Sequence, residues 1–259
     1  MKSELNISLI QFSPEWEQIH TNVERLTGML DKTPDSTDLV ILPEMFSTGF
    51  SMSPEKLAEH LNGFTVKWMR EMAISKKIAI TGSLIIEEDG NYFNRLVFAM
   101  PDGTYKYYDK RHLFRYGGEH KVYTPGTHRL ITEFKGWRIC PMICYDLRFP
   151  LWSINRNDYD LLIYVANWPD VRMRAWKILP LARAIENQCF VAAVNRTGDD
   201  GTIAHSGASK VVNFKGEIIS ESLKAEEEII SASLDFDHLH KFRQKYDFSR
   251  DGEKFGIFY

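Results

Sequence analysis

Short apolar runs rich in β-branched and aromatic residues recur along the 259-residue chain, and they constrain its fold more than any other feature. Several of these runs lack the polar alternation of a half-exposed strand, so we expect them to be buried on both faces. The predicted strands are Ile7–Phe12, Leu39–Leu42, Ile78–Ile86, Leu96–Met100, Trp137–Ile143, Leu161–Ala166, Cys189–Asn195 and Val211–Phe214.

Longer segments with helical spacing separate some of these runs. The predicted helices are Glu15–Leu30, Thr65–Lys76, Leu151–Asn157 and Val171–Asn187. Glycine turns at Asp102-Gly103 and Lys215-Gly216 indicate paired antiparallel strands. The sequence therefore predicts an α/β fold whose sheet is partly antiparallel.

Length and composition favour one globular domain over residues 1–259, since no linker-like stretch or internal repeat interrupts the chain. The formal net charge of −3 comes from interspersed charges, which argues against nucleic acid as a partner and favours a small molecule. No secretory signal or apolar stretch of about 18 residues is visible, so we expect no membrane association and a cytoplasmic location. Three cysteines are too few for a disulfide framework.

The stretch from Asp235 to Tyr259 alternates charges with aromatic residues. It is too aromatic for a solvated tail and too irregular for a strand. We expect it to pack on the body of the protein or on a partner subunit.

Three apolar runs end abruptly in a reactive side chain, namely Glu44, Lys110 and Cys144. Functional residues of open α/β sheets gather beyond the carboxyl ends of strands, so these three could share a pocket. Glu44 could exchange protons, Lys110 could lower the pKa of a thiol and stabilise an oxyanion, and Cys144 could attack from a strand-to-helix turn. Taken singly, each residue is more often non-functional, as an exposed or capping carboxylate, a solvated lysine or an inert buried cysteine.

Other chemistries find little support in the sequence. The histidines and cysteines lack the spacing of a zinc site, and no phosphate-binding or dinucleotide-binding motif is present. A papain-like Cys-His pair with His112, His120 or His205 remains an alternative without a local signature.

Read together, three motifs resemble the Glu-Lys-Cys triad of the nitrilase superfamily. They are Leu42-Pro43-Glu44, Asp109-Lys110-Arg111-His112-Leu113-Phe114 and Ile143-Cys144-Tyr145-Asp146-Leu147-Arg148-Phe149-Pro150. Within the superfamily, the runs Cys144–Pro150, Val165–Pro169 and Ala182–Gln188 are most similar to the bacterial omega-amidases, which act on 2-oxoglutaramate and 2-oxosuccinamate.

The resemblance implies a four-layer αββα sandwich, a homodimer formed by helices packed face to face, and no metal or organic cofactor. It also implies a thioester on Cys144, with Glu44 as acid and base and with Lys110 and the Tyr145 N–H as oxyanion donors. The second glutamate of the family maps onto Glu119, which would position Lys110 and orient the substrate.

An omega-amide of a dicarboxylate carries a distal carboxylate, so we expect a cation in the pocket. Arg172 is the first candidate and Arg148 the second, although Arg148 is expected instead to brace the nucleophile turn by pairing with Asp146 or another carboxylate. The remaining pocket walls are expected from four aromatic residues: Phe114, Tyr116, Tyr145 and Trp168. Alternatives are an N-carbamoyl amino-acid amidohydrolase, an aliphatic amidase, a nitrilase or a non-catalytic scaffold.

Overall fold

Two six-stranded mixed sheets form the centre of the protein in the computed structural model, which describes residues 4–199, 203–252 and 256. The strands assigned in this part of the chain are β1 (Glu4–Gln11), β2 (Leu39–Ile41), β3 (Ala79–Glu88), β4 (Asn91–Ala99), β5 (Tyr105–Asp109), β6 (Thr132–Phe134), β7 (Trp137–Ile143), β8 (Leu161–Ala166), β9 (Phe190–Asn195), β10 (Thr197–Asp199), β11 (Ala204–Ser206), β12 (Lys210–Val212), β13 (Ile218–Glu221) and β14 (Glu228–Asp235).

Helices cover the outer faces of the sheets. The α-helices assigned in the described residues are α1 (Ile19–Leu30), α2 (Pro54–Leu57), α3 (Phe64–Lys76), α4 (Pro150–Ser153), α5 (Met173–Asn187) and α6 (Phe236–Lys245). Short 3-10 helices lie at Arg115–Gly117, Glu119–Lys121, Cys144–Arg148, Asp170–Arg172 and Phe248–Asp251. None of the helices described here is both long and apolar enough to cross a membrane.

The first sheet has the order β14-β1-β2-β3-β4-β5 and the second β13-β12-β9-β8-β7-β6. Each has three parallel central strands, β1-β2-β3 in the first and β7-β8-β9 in the second, flanked by antiparallel neighbours. The predicted α/β class and the antiparallel turns at Gly103 and Gly216 are confirmed, both with positive φ.

Strand alternation shows how the layers stack. Leu39 and Ile41 of β2 join a core shared with the second sheet, whereas Val40 between them faces a core containing residues of α1 and α3. On the other side, α5 packs on β9 and β12. The result is the αββα order that the family resemblance implies.

α3 and α5 begin within two residues of their predicted starts, whereas two other predicted helices are shorter because side chains bind the backbone where the sequence predicts that those helices continue. Helix α1 begins at Ile19 rather than Glu15, because the Asn22 side chain binds both the N–H and the C=O of Glu15, each at 2.7 Å. The predicted helix Leu151–Asn157 ends at Ser153, where Asn155 turns the chain by donating to the Tyr159 carbonyl oxygen at 2.9 Å.

The described part of the C-terminal region packs on its own chain. Asp235 caps α6 by accepting from the His238 N–H at 2.9 Å. Phe236 contacts Trp137 with ring centroids 5.2 Å apart, and Phe242 contacts Phe214 at 4.8 Å. Of the aromatic residues noted in the tail, Phe255, Phe258 and Tyr259 lie outside the described residues.

Candidate active site

The three strand-end residues converge, as the sequence predicts. Glu44 follows β2, Lys110 follows β5 of the same sheet, and Cys144 follows β7 of the second sheet. All three side chains line one cavity between the ends of the two sheets. Glu44 and Lys110 are buried, and Cys144 is 9% exposed.

Cys144 occupies a strained turn. Its φ of 43° is in the left-handed region, which costs a non-glycine residue roughly 1–3 kcal/mol. The chain passes there from β7 into a 3-10 helix, in whose first turn the Tyr145 N–H has no acceptor within the helix. The turn thus presents a thiol beside a backbone donor, the geometry that an oxyanion site needs.

The buried carboxylate of Asp146 holds this turn against the loop that carries Lys110. Its oxygens accept from the Ile143 N–H at 3.1 Å and the Tyr108 hydroxyl at 2.7 Å. They also accept from the His112 N–H at 2.9 Å and lie 2.8 Å from His112 Nδ1. The expected pairing of Arg148 with Asp146 is therefore wrong, since His112 takes that place.

Lys110 lies in a buried network with two carboxylates. Its Nζ donates to Glu44 Oε1 at 2.7 Å and to both Glu119 oxygens at 2.9 Å. The Asn94 side chain donates to Glu44 Oε1 at 2.8 Å and to Glu119 Oε1 at 3.0 Å. The Phe114 N–H also donates to Glu119. Lys110 and Asn94 thereby fix both carboxylates relative to each other.

The electrostatics of the network keep Lys110 charged. Burial alone lowers the pKa of Lys110, but the charges of Glu119 and Glu44 outweigh it, so that this pKa is raised. Burial raises the pKa of Glu119, and Lys110 opposes that rise. A fixed cation therefore lies beside the thiol.

The thiol itself is not activated at rest. Burial raises the pKa of Cys144 well above its ordinary value, and the charge of Glu44 adds to this rise. Lys110 acts in the predicted direction, lowering the pKa, but it does not overcome the other two influences. Lys110 therefore has the predicted effect, but the net pKa of the Cys144 thiol is raised, and attack requires a base.

Asn167, directly after β8, links the base to the thiol. Its N–H donates to Glu44 Oε2 at 2.8 Å, and its side-chain nitrogen donates to the Glu44 carbonyl oxygen. The Cys144 Sγ lies 3.9 Å from the Asn167 carbonyl oxygen, within hydrogen-bond range for sulfur. Glu44 is thus held beside the thiol from the second sheet as well as from the first.

The cavity has a volume of about 240 Å³, which suits a small molecule. Its wall is formed by Trp16, Glu44, Phe50, Met52, Lys110, Phe114, Gly117, Cys144, Tyr145, Arg148, Asn167, Trp168, Pro169, Arg172, Ile203 and His205. Aromatic rings and two arginines make up much of this wall.

Five of the six predicted substrate contacts line this cavity. The Arg172 guanidinium carbon lies 4.6 Å from the Phe114 ring centroid, and that of Arg148 lies 5.0 Å from the centroid of Trp168. Tyr145 packs edge-on against Phe114. Tyr116 does not line the cavity and is 90% exposed.

Glu119 is also absent from the cavity wall and lies behind Lys110, where it can position that residue. The Cys-His alternative finds no geometric support in two of its three histidines. His112 pairs with Asp146 and stacks on Phe149 at 3.7 Å, and His120 is exposed. His205 lines the cavity.

Sequence reasoning missed several residues of the site. Asn94 lies in the middle of β4, where no local pattern distinguishes it from any polar strand residue. Phe50, Met52 and Trp16 reach the cavity from loops whose course is not readable in the sequence. Asn167 carried a usable signal, because it is a polar residue at the end of an apolar strand.

The comparisons with known proteins agree with this geometry. The carbon-nitrogen hydrolase family model matches residues 6–244. The chain belongs to this family. A carbon-nitrogen hydrolase from Xanthomonas campestris, XC1258, whose crystal structure carries an arsenic adduct in the active site, superposes with a TM-score of 0.95 at 44% identity, covering 98% of this chain and 99% of that one.

Two curated relatives of this hydrolase are amidases. Omega-amidase YafV of Escherichia coli K12 is 42% identical over 98% of both chains. The 2-oxoglutaramate amidase of Bacillus subtilis is 30% identical over 92% of this chain and 93% of its own. The protein is therefore an enzyme that hydrolyses carbon-nitrogen bonds, in the αββα fold of the nitrilase superfamily.

Proposed function

We propose that this hydrolase is an omega-amidase that releases ammonia from 2-oxoglutaramate and 2-oxosuccinamate. The observation that carries the proposal is one small cavity with Cys144, Glu44 and Lys110 on its wall together with two arginines. The names of the relatives with 42% and 30% identity support the same substrate class.

In the proposed mechanism, Glu44 removes the Cys144 proton as sulfur attacks the amide carbonyl carbon. A base is required because burial keeps the thiol protonated by raising its pKa. Negative charge develops on the carbonyl oxygen, where the Lys110 ammonium and the Tyr145 N–H stabilise it. The product of this step is a tetrahedral adduct on sulfur.

Collapse of the adduct breaks the carbon-nitrogen bond. Glu44 returns its proton to the departing nitrogen, ammonia leaves, and an acyl thioester remains on Cys144. Glu44 then removes a proton from a water that attacks the thioester, and the acid and the free thiol are released. Glu119 and Asn94 act through Lys110 and Glu44 as positioning residues.

In this proposal, the two arginines bind the distal carboxylate of the substrate. Burial lowers the pKa of Arg172, with neighbouring Arg148 adding to the effect, yet a guanidinium remains charged near neutral pH. Among the described residues, Arg172 lies over the Phe114 ring and Arg148 over the Trp168 ring, and neither forms an ion pair with a carboxylate. A substrate carboxylate would supply the negative charge that pairs with these guanidinium groups.

N-carbamoyl amino-acid amidohydrolases are a second candidate class, because the argument from the two arginines applies to them as well. N-carbamoyl amino acids also carry a carboxylate, so the arginines do not separate them from omega-amides. Neutral aliphatic amides and nitriles lack the anion that the arginines favour.

The test is ammonia release from purified protein offered five substrates: 2-oxoglutaramate, 2-oxosuccinamate, glutamine, a simple nitrile and an N-carbamoyl amino acid. We expect fast release from the two oxo-amides and none from the Cys144→Ala control. Preference for the N-carbamoyl substrate would replace the assignment with that class, and activity surviving in the control would overturn it.

We further propose that the enzyme is a cytoplasmic homodimer. Its three cysteines are free and buried, which suits a reducing compartment. An apolar stripe on α5 and the turn before it includes Val171, Ile178 and Ile185, which are 80%, 52% and 52% exposed. Such a stripe is suited to pack against the same helix of a second copy.

A further inference from the structure

Asn167 has one polar atom without a partner. Its N–H, its side-chain nitrogen and its carbonyl oxygen contact Glu44 and the thiol, but Oδ1 has no hydrogen-bond donor among the described residues. The residue is only 7% exposed. The orientation of the amide is determined, because the carbonyl oxygen of Glu44 can accept only from the side-chain nitrogen.

An unpaired buried acceptor is unfavourable and needs an explanation. Asn167 contributes to the wall of the reaction cavity with Cys144 and Glu44. The nitrogen of a bound amide must lie within reach of Glu44 in order to receive a proton from it. Glu44 is itself hydrogen-bonded to Asn167. The amide nitrogen would therefore lie next to Asn167.

We propose that Asn167 is a specificity-determining residue, whose Oδ1 accepts a hydrogen bond from the –NH2 group of the scissile amide and so selects primary amides over esters and nitriles. This inference rests on the proposed amidase function. In a 2-oxo dicarboxylic monoamide, the –NH2 group is the only donor, since the keto and carboxylate oxygens only accept. The carboxylate product offers Oδ1 no donor, which favours its release.

The test compares binding of an amide with binding of the methyl ester of the same acid. Cys144→Ala prevents turnover, and calorimetry then gives Kd for 2-oxoglutaramate, for its ester counterpart, and for the neutral pair butyramide and methyl butyrate. We expect each amide to bind at least about tenfold more tightly than its ester, because a site built for an N–H rejects a ligand that lacks it.

Removal of the acceptor should abolish this preference. With Asn167→Ala or Asn167→Ser added to Cys144→Ala, we expect the two Kd values of a pair to agree within about twofold. Asn195→Ala is the matched control. Asn195 holds the next residue, Trp168, by two hydrogen bonds but does not line the cavity, so its loss should weaken both ligands equally.

Two results would overturn the inference: no preference for the amide in Cys144→Ala, or an undiminished preference in both Asn167 variants. Failure of the proposed function looks different. In that case the 2-oxo pair would not bind, while the butyramide pair would still show the preference that depends on Asn167.

Discussion

Among single side chains, the thiol of Cys144 should respond to pH in a way set by its burial. Because burial raises its pKa, the thiol stays protonated through and above the ordinary thiol pKa of about 8.5. We expect its alkylation by iodoacetamide to be slow and to rise by about tenfold per pH unit between about pH 7 and pH 9, without levelling off near the ordinary thiol pKa. Cys144→Ala provides the background from the other cysteines, and a rate that levels off within this range would contradict the expectation.

The charge of Arg172 should affect substrate binding more than chemistry. Arg172→Gln removes a guanidinium that lies on the cavity wall, so KM for an anionic amide should rise about 10-fold to 100-fold while a neutral amide is little affected. Arg174→Gln is the matched control, because Arg174 is exposed and absent from the wall. Equal effects of the two substitutions would exclude Arg172 as the carboxylate receptor.

Between elements, glycine at position 82 allows β3 to approach the loop that carries Glu44. A Cβ on Gly82 would lie 2.8 Å from Leu42 Cβ and 2.8 Å from the Phe46 ring. We expect Gly82→Ala to lower the free energy of unfolding by about 1–3 kcal/mol through overpacking, and to reduce activity by displacing the loop.

In helix α1, the same substitution of glycine by alanine should stabilise the protein instead. Gly28 has no neighbouring atom within 4 Å of an added Cβ, so Gly28→Ala should stabilise the protein by about 0.5–1 kcal/mol. Chemical denaturation measures both variants. A neutral Gly82→Ala would mean that β3 and the loop are less closely packed than the structure indicates.

The agreement between predicted and observed elements depends on how fully each element is buried. β7 and β8 coincide with their predicted bounds because a continuous apolar run identifies a strand buried on both faces. β14 and α6 were not predicted. β14 is half-buried with polar residues between its buried Ile230 and Leu234, and α6 is stabilised by contacts with distant rings such as Trp137.

The residues of the active site also differ in how far the sequence predicts them. Glu44, Lys110 and Cys144 were predictable because each ends a strand, and strand ends converge. Asn94 was not, because its role depends on two carboxylates that are distant in sequence, at 50 and 25 residues. The orientation of Arg148 and the exposure of Tyr116 follow from two short 3-10 helices whose geometry local sequence does not determine.

At the scale of the whole molecule, the exposed stripe on α5 predicts a second copy. Ile178→Glu should convert a dimer to a monomer in sedimentation velocity, because a charge would be buried at the interface. Ile74→Glu on α3 is the control, since Ile74 is 50% exposed on the opposite helical layer. A monomeric parent protein, or dissociation by both substitutions, would contradict a dimer through α5.

The account as a whole depends on a covalent acyl group on Cys144, and intact-mass spectrometry after a rapid acid quench tests it most directly. During turnover of 2-oxoglutaramate, we expect ammonia release together with a mass increase equal to the 4-carboxy-4-oxobutanoyl group less the thiol hydrogen that it replaces, located on the peptide that contains Cys144. Ammonia release by the Cys144→Ala protein, or an acyl group found on another residue, would contradict the account.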